Sequence, residues 1–252
     1  MSFDVGAAAY DRFMGRFSRP LAAEFVGLVD PGPIRRALDV GCGPGALTGE
    51  LVARLGSQAV SAIDPSEQFV AAVRSHLPDV DVRRGVAEAL PFDDDSFDLA
   101  LAQLVVHFMR DPHVGLSEMA RVTRPGGLVA ACVWDHAGGG GPLSLFWRAV
   151  ADLDPDAPDE SNLAGAREGQ LVALFEGVGL RLVEPATLTV RVTFESFRDW
   201  WEPFTFGVGP AGTYVAALDP ERRDALREHC AELLPEAPFD LDASAWTALG
   251  RV

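Results

Sequence analysis

Short apolar runs recur along the first half of the chain, and polar or helix-periodic stretches separate them. Ala37–Val40 is the first run; it stops at Gly41-Cys42-Gly43-Pro44-Gly45, with Asp39 as its one polar member. From Ala46 to Leu55 apolar residues return at helical spacing, and Gly56 follows where a C-terminal cap belongs. Residues 59–64 form a second run ending in Asp64. A helix is predicted over 66–76, with Ser66 as its cap, and a weaker strand over 81–84. Residues 87–92 read as a loop and Asp93-Asp94-Asp95 as a polar turn. A buried strand is predicted over 97–102 and the start of a helix over 104–109. A helix around 115–122 then leads to a turn at Arg124-Pro125-Gly126-Gly127 and a strongly apolar strand over 128–134. Strands alternating with helices imply an α/β fold with parallel βαβ units. Ligands of such sheets sit at the carboxyl ends of the strands, where the strand order reverses.

The two ends of the chain differ from this pattern. Residues 20–29 look helical, and Pro31-Gly32-Pro33 breaks that helix. Residues 136–166 read as loop around a short helix at 143–153. A helix over 170–177, an alternating strand over 180–192, an amphipathic helix over 220–234 and a last strand over 239–252 follow. Between them, residues 194–206 are crowded with aromatic side chains. No internal repeat is visible.

Charge narrows the partners. The 252 residues carry 37 acidic against 21 basic groups, a net −16, and no basic run. Nucleic acid and an anionic membrane surface are therefore not expected; a cationic or neutral small molecule is the expected partner, although the acidity reads first as a solubility feature. The three cysteines are far apart and form no CxxC pair, which fits a reducing cytoplasm and argues against a zinc site or disulfide framework. No signal peptide is evident, and no apolar run approaches the roughly 20 residues of a membrane span. Three adjacent carboxylates at 93–95 do not converge on one ion, so no metal is expected. A homodimer is left open.

The glycine turn gains meaning from its surroundings. It places a ligand against backbone that lacks Cβ atoms and near the positive end of a helix. Asp64, roughly 20 residues on, is spaced to accept from two ribose hydroxyls, or else to serve as a helix N-terminal acid. A dinucleotide fingerprint reads G-x-G-x-x-G; here the turn is G-x-G-x-G, with Asp39 ahead of it and Ala46 where a third glycine would open the helix.

At this point the chain resembles the class I S-adenosylmethionine-dependent methyltransferases, in particular the small-molecule branch related to ubiquinone-biosynthesis enzymes. The resemblance rests on Leu38-Asp39-Val40-Gly41-Cys42-Gly43-Pro44-Gly45 and Ala62-Ile63-Asp64. It extends to Ala87-Glu88-Ala89-Leu90-Pro91-Phe92 with Ser96-Phe97-Asp98, and to Val122-Thr123-Arg124-Pro125-Gly126-Gly127. It implies a Rossmann-like, doubly wound, seven-stranded mixed sheet with its last strand antiparallel and a small substrate-side cap. It also implies one methyltransferase domain over 1–252, divided into an N-terminal lid at 1–30, a cofactor-binding core at 35–135 and substrate-side elements at 136–240. S-Adenosyl-L-methionine would be the cofactor and S-adenosyl-L-homocysteine the product. Asp39 would accept from the ligand ammonium and Asp64 from the ribose diol. Gly41 and Gly43, with Cys42 between them, would back the methionine and ribose parts. Pro65 and Ser66 would lie near the ribose and adenine, Ala87 and Glu88 along the adenine edge, and Gln103 at the methionine end. Tyr10 would close the lid. Val86 departs from the family, which usually has Asp there to bind the adenine amino group.

Methyl transfer is an in-line displacement, in which a protein mainly supplies orientation, with a base only where the acceptor must lose a proton. His107 is the candidate base, four residues after Gln103 and on its face if both are helical; a buried structural histidine is the competing reading. His136 and Trp134, at the end of the strand over 128–134, and Trp200 and Trp201 in the aromatic stretch are candidates for the acceptor site. The aromatic group reads equally as a satellite core. Two alternatives stay open: a protein that binds the cofactor without transferring methyl, and an NAD-dependent dehydrogenase, which the turn spacing disfavours.

Overall fold

The computed structural model describes residues 6–29 and 34–252. The break expected at Pro31-Gly32-Pro33 and the outermost part of the lid, residues 1–5 and 30, lie outside the described residues. Seven strands form one sheet: β1 (Ala37–Val40), β2 (Val60–Asp64), β3 (Asp81–Arg84), β4 (Phe97–Gln103), β5 (Thr123–Trp134), β6 (Arg181–Phe194) and β7 (Phe239–Arg251). Their order across the sheet is β3-β2-β1-β4-β5-β7-β6. The first five pair in parallel, and β7 lies between β5 and β6, antiparallel to both. The chain leaves β1 toward β2 and β3, then crosses back to lay β4 on the other side of β1. That reversal opens a crevice at the carboxyl ends of β1, β2 and β4.

Period-2 alternation divides the core into two layers. Along β4 and β5, Leu99, Leu101, Ala130, Cys132 and Trp134 face one layer. Ala100, Ala102, Val129, Ala131 and Val133 face the other. Because both faces are covered, these strands read as continuous apolar runs rather than as alternating ones. The first layer also holds α2 (Arg16–Leu28), through Phe17, Leu21 and Phe25, α3 (Ala46–Leu55), through Leu47 and Leu51, α4 (Glu67–His76), through Val70 and Val73, and α6 (Ser144–Leu153), through Phe146 and Val150. The second layer holds α5 (Pro112–Val122), through Leu116 and Met119, and α7 (Gln170–Gly177), through Leu171 and Phe175. Before α2 the chain runs through α1 (Ala7–Tyr10) and a π-type turn, Asp11–Gly15. Among the described residues, no helix is long and apolar enough to cross a membrane.

Two local expectations change. No helix begins at 104. Leu104 sits in the left-handed region at φ 61° and only a single 3₁₀ turn, Val106–Phe108, follows. The next helix starts at Pro112, whose missing N–H costs nothing in the first turn, and Asp111 caps it by accepting from the N–H groups of His113 and Val114. Gln103 and His107 are therefore not neighbours on a helix face. The turn expected at 124–127 lies within β5: the register jumps from Phe97↔Thr123 to Leu99↔Leu128, so the intervening residues bulge out of the ladder.

Gly41 shows why the loop after β1 takes the form it does. It adopts φ 74°, and a Cβ there would fall inside van der Waals contact of both Val105 methyls. Gly43, at φ 52°, faces open space. We expect Gly41→Ala to destabilise the fold by about 2–4 kcal/mol, from strain and overpacking together, and Gly43→Ala by about 1 kcal/mol, from strain alone. Urea denaturation measures both; equal losses at the two positions would contradict the Val105 contact.

Candidate functional site

Three adjoining hollows meet at the crevice, and Tyr10 and Leu104 line all of them. The first is an open cleft of about 420 Å³ between the glycine loop, the end of β2 and the end of β4. Gly41, Gly43, Asp64, Pro65, Ser66 and Gln103 border it. Asp64 is buried, and each of its oxygens takes one backbone N–H: Oδ2 from Gly43 at 2.9 Å and Oδ1 from Ser66 at 2.8 Å. Burial raises its pKa, and those two bonds oppose the rise. A carboxylate with one bond per oxygen keeps lone pairs for further donors. Gly41 and Cys42 both donate to the Ile63 carbonyl, at 2.8 and 3.0 Å, which ties the loop to the neighbouring strand.

The second hollow is a recess of about 30 Å³ beneath the glycine loop. Asp39, Cys42 and Gln103 line it. Asp39 is 1% exposed; its Oδ2 accepts from the Thr48 hydroxyl at 2.6 Å, while Oδ1 has no partner. Gln103 donates through Nε2 to the Ser18 carbonyl at 2.8 Å and leaves Oε1 unpaired. Two buried acceptors without donors in one recess are costly unless a ligand supplies N–H groups. An ammonium, with three donors, suits that need. Burial pushes Asp39 up to about 7, against the pull of the Thr48 bond.

The third hollow, about 40 Å³, lies on the other side of Tyr10 and Leu104. Its walls are largely apolar and aromatic, with Phe13, Met14, Phe108, Trp134 and Leu143 among them, and Val208 with the start of α9 (Gly209–Ala217) closes it. His107, His136 and Glu160 are its polar members. The two imidazoles lie 5.6 Å apart, and His107 Nδ1 and His136 Nε2 have no partner. Burial, reinforced by His136, takes His107 well below its ordinary value. Burial takes His136 down to about 4, although Asp135 and Asp159 pull it back. Both rings are thus neutral at pH 7. Glu160 accepts from Trp147 Nε1 at 2.8 Å, and burial raises it to about 7 against that bond.

Most of the residues singled out from sequence meet here, but four do not. Glu88 Oε1 accepts from the N–H groups of Arg110 and Asp111, so its carboxylate braces the loop before α5 and does not border the cleft. Ala87 packs into the second core layer. Trp200 and Trp201, in α8 (Phe197–Trp201), are buried and border none of the three hollows. They pack on Phe204, which in turn meets Phe13 at 4.9 Å and Phe146 at 4.5 Å. The aromatic stretch thus braces the N-terminal helices: Arg16 lies over Phe194 and pairs with Asp199 at 2.8 Å, and Arg12 lies over Phe206. Glu160 went unnoticed because it closes an Asp- and Pro-rich segment with no periodicity to mark it as buried. A roomier groove of about 600 Å³ lies beside Pro44 and Gly45, but none of the unpaired buried polar atoms borders it. Among the described residues, no group of three or more His, Cys, Asp or Glu side chains is placed to hold a metal.

The sheet order, the glycine turn and the acid at the end of β2 define a Rossmann-like methyltransferase fold. Residues 38–131 match the family model of a methyltransferase domain. An uncharacterized methyltransferase of Mycobacterium tuberculosis is 38% identical over 135 residues, 54% of this chain and 52% of that protein. A malonyl-[acyl-carrier protein] O-methyltransferase of Methylococcus capsulatus is 33% identical over 154 residues, 60% of this chain and 56% of that one. The chain spans about half the length of the curated relatives it matches. A solved putative methyltransferase from an antibiotic biosynthesis pathway of Anabaena variabilis superposes with a TM-score of 0.61 at 16% identity, covering 92% of this chain and 97% of that chain, which concerns the fold. Over residues 38–131 the chain is similar to methyltransferase domains, and its fold is that of solved methyltransferases.

An acid whose pKa is higher folded than unfolded holds more protons in the folded state, so its burial costs most above the folded value. For Asp39 the cost is therefore full above about pH 7 and relieved as the pH falls toward its unfolded value near 4. Asp39→Asn should stabilise the ligand-free protein at pH 8, by at most roughly 4 kcal/mol, and by less at pH 5.5. Urea denaturation at the two pH values checks this; an equal gain at both would mean Asp39 does not titrate between them.

Proposed function

We propose that this protein transfers a methyl group from S-adenosylmethionine to a small-molecule acceptor by in-line displacement. The observation that carries the reading is the pairing of two unpartnered buried acceptors, Asp39 Oδ1 and Gln103 Oε1, in a recess that opens beside the Asp64 cleft. That donor-hungry recess suits an amino acid end. The cleft beside it suits a nucleoside.

Asp39 and Gln103 would hold the ammonium. Asp64 would accept from the ribose hydroxyls while still fixing the Gly43 and Ser66 N–H groups, and Gly41, Cys42 and Gly43 would present backbone without bulk. Pro65 and Ser66 would border the ribose and adenine. S-Adenosylmethionine, when bound, supplies a methyl group activated by a positively charged sulfur. The protein's own part is mostly placement and the exclusion of water. Tyr10, Phe13 and Met14 line the acceptor pocket from the N-terminal helices, which supports reading this segment as a lid. Trp134, His107 and His136 would meet the acceptor. His107 and His136 can take a proton in their neutral form, but burial makes both weak bases, so an acceptor that needs little deprotonation suits them best. The net charge of −16 supports a neutral or cationic small molecule rather than a nucleic acid or an anionic membrane surface. Three free cysteines, all buried, support a cytoplasmic setting.

Isothermal titration with S-adenosylhomocysteine should give a saturable heat with the wild type. Asp64→Ala should weaken binding at least about tenfold, as expected for hydrogen bonds to a charged group, and His107→Ala should leave it within about threefold. Absence of heat at high micromolar ligand, or the reverse order of the two variants, would sink the cofactor assignment. Release of labelled methyl across an acceptor panel tests transfer itself.

A further inference from the structure

The acceptor pocket contains a carboxyl group for which the described residues provide no cation. Glu160 is 4% exposed, and the one side-chain hydrogen bond it makes among the described residues comes from Trp147, a neutral donor. Among the described residues no lysine or arginine borders the pocket, and its two histidines are held neutral. Desolvating a carboxylate without an opposite charge is expensive. The Trp147 bond offsets part of that cost and fixes the carboxyl against the pocket. Phe13, Phe108 and Trp134 line the pocket around it, and an aromatic face favours a cation over an anion. A carboxylate- or phosphate-bearing molecule would meet Glu160 with no positive group to offset it. A protonated amine would meet a buried counter-charge and aromatic walls.

We propose that Glu160 is a specificity-determining residue of this pocket and that it selects an acceptor carrying a protonated amine on an apolar body. The inference rests on the methyltransferase reading of the neighbouring cleft. The amine is recognised by charge pairing with Glu160; the pocket and the cofactor cleft share Tyr10, Leu104 and Phe108, so a molecule anchored at Glu160 extends toward the cleft past those side chains. Glu160→Gln is the discriminating variant. It removes the charge, keeps the size, and keeps an oxygen able to accept from Trp147.

The test measures equilibrium binding of 2-phenylethylamine, 2-phenylethanol and phenylacetate to the full chain in the presence of S-adenosylhomocysteine. The wild type should bind the amine at least about tenfold more tightly than the alcohol, the scale of a hydrogen bond to a charged group, and the carboxylate most weakly. In Glu160→Gln the amine-to-alcohol ratio should fall to about one, with alcohol binding unchanged; a structural role alone would weaken all three probes alike. Preference for the alcohol or the carboxylate, an unchanged ratio in the variant, or no amine binding at millimolar concentration would overturn the proposal. S-Adenosylhomocysteine binding, titrated separately in both proteins, reports on the cofactor site by itself. If it is lost in the wild type, the methyltransferase reading fails; if it is kept while the amine preference is absent, only the Glu160 assignment fails.

Discussion

The site is organised by one buried carboxylate. Asp64 ends β2, and its two oxygens reach in different directions, one to the Gly43 N–H in the loop after β1 and one to the Ser66 N–H in the turn after β2. Each bond adds a restraint to its turn. Gly43 sits at positive φ with nothing around its Cβ position, so packing does not hold it; the Asp64 bond does. Ser66 in turn caps the helix Glu67–His76 through Phe69 N. A charge-assisted bond to backbone N–H in a buried setting is among the stronger single contacts a side chain can make. The same burial that strengthens these bonds raises the pKa of the acid. The loop that Asp64 orders in turn opposes that rise through the Gly43 N–H.

That arrangement separates two kinds of buried polar group. Asp64 is satisfied and organises backbone. Asp39, Gln103, His107 and His136 each keep an atom without a partner, and these atoms border the recess and the acceptor pocket. Native interiors seldom leave buried polar atoms unpaired, because each costs about 1–3 kcal/mol. Their clustering on either side of Tyr10 and Leu104 distinguishes the site from the roomier groove beside Pro44. Volume ranks the two the other way; unmet hydrogen bonding decides between them.

The half of the fold that carries the Asp64 cleft was readable from sequence because its signals are local. An apolar run, a glycine turn and a helical run fit within about 20 residues, and β1, β2 and β4 came out close to their predicted bounds. The sequence failed where a single backbone angle decided the path. Leu104 at positive φ converts the predicted helix start into a 3₁₀ turn, and nothing about a leucine announces that conformation. Glu88 misled for a related reason: a motif position suggested a ligand contact, but two backbone N–H groups at 110 and 111 claim the carboxylate. The aromatic stretch 194–206 was recognised as a cluster, yet which surface it covered depended on the packing of Phe204 between Phe13 and Phe146.

The acceptor pocket was least legible because no segment owns it. Its wall draws on the N-terminal helices, the turn after β4, the end of β5, the loop before 166 and the start of α9, so its members are 10, 107, 136, 160 and 208 in sequence. Spacing rules describe neighbours on one helix or one strand, and none spans such separations. The division has a physical consequence. Asp39, the glycine turn, Asp64 and Gln103 sit on or beside strand ends held by the central sheet. The wall of the third hollow adds turns and helix starts to the end of β5. Glu160 lies outside the strands of the sheet, in the loop before α7, so its side chain is set by loop packing and not by strand register.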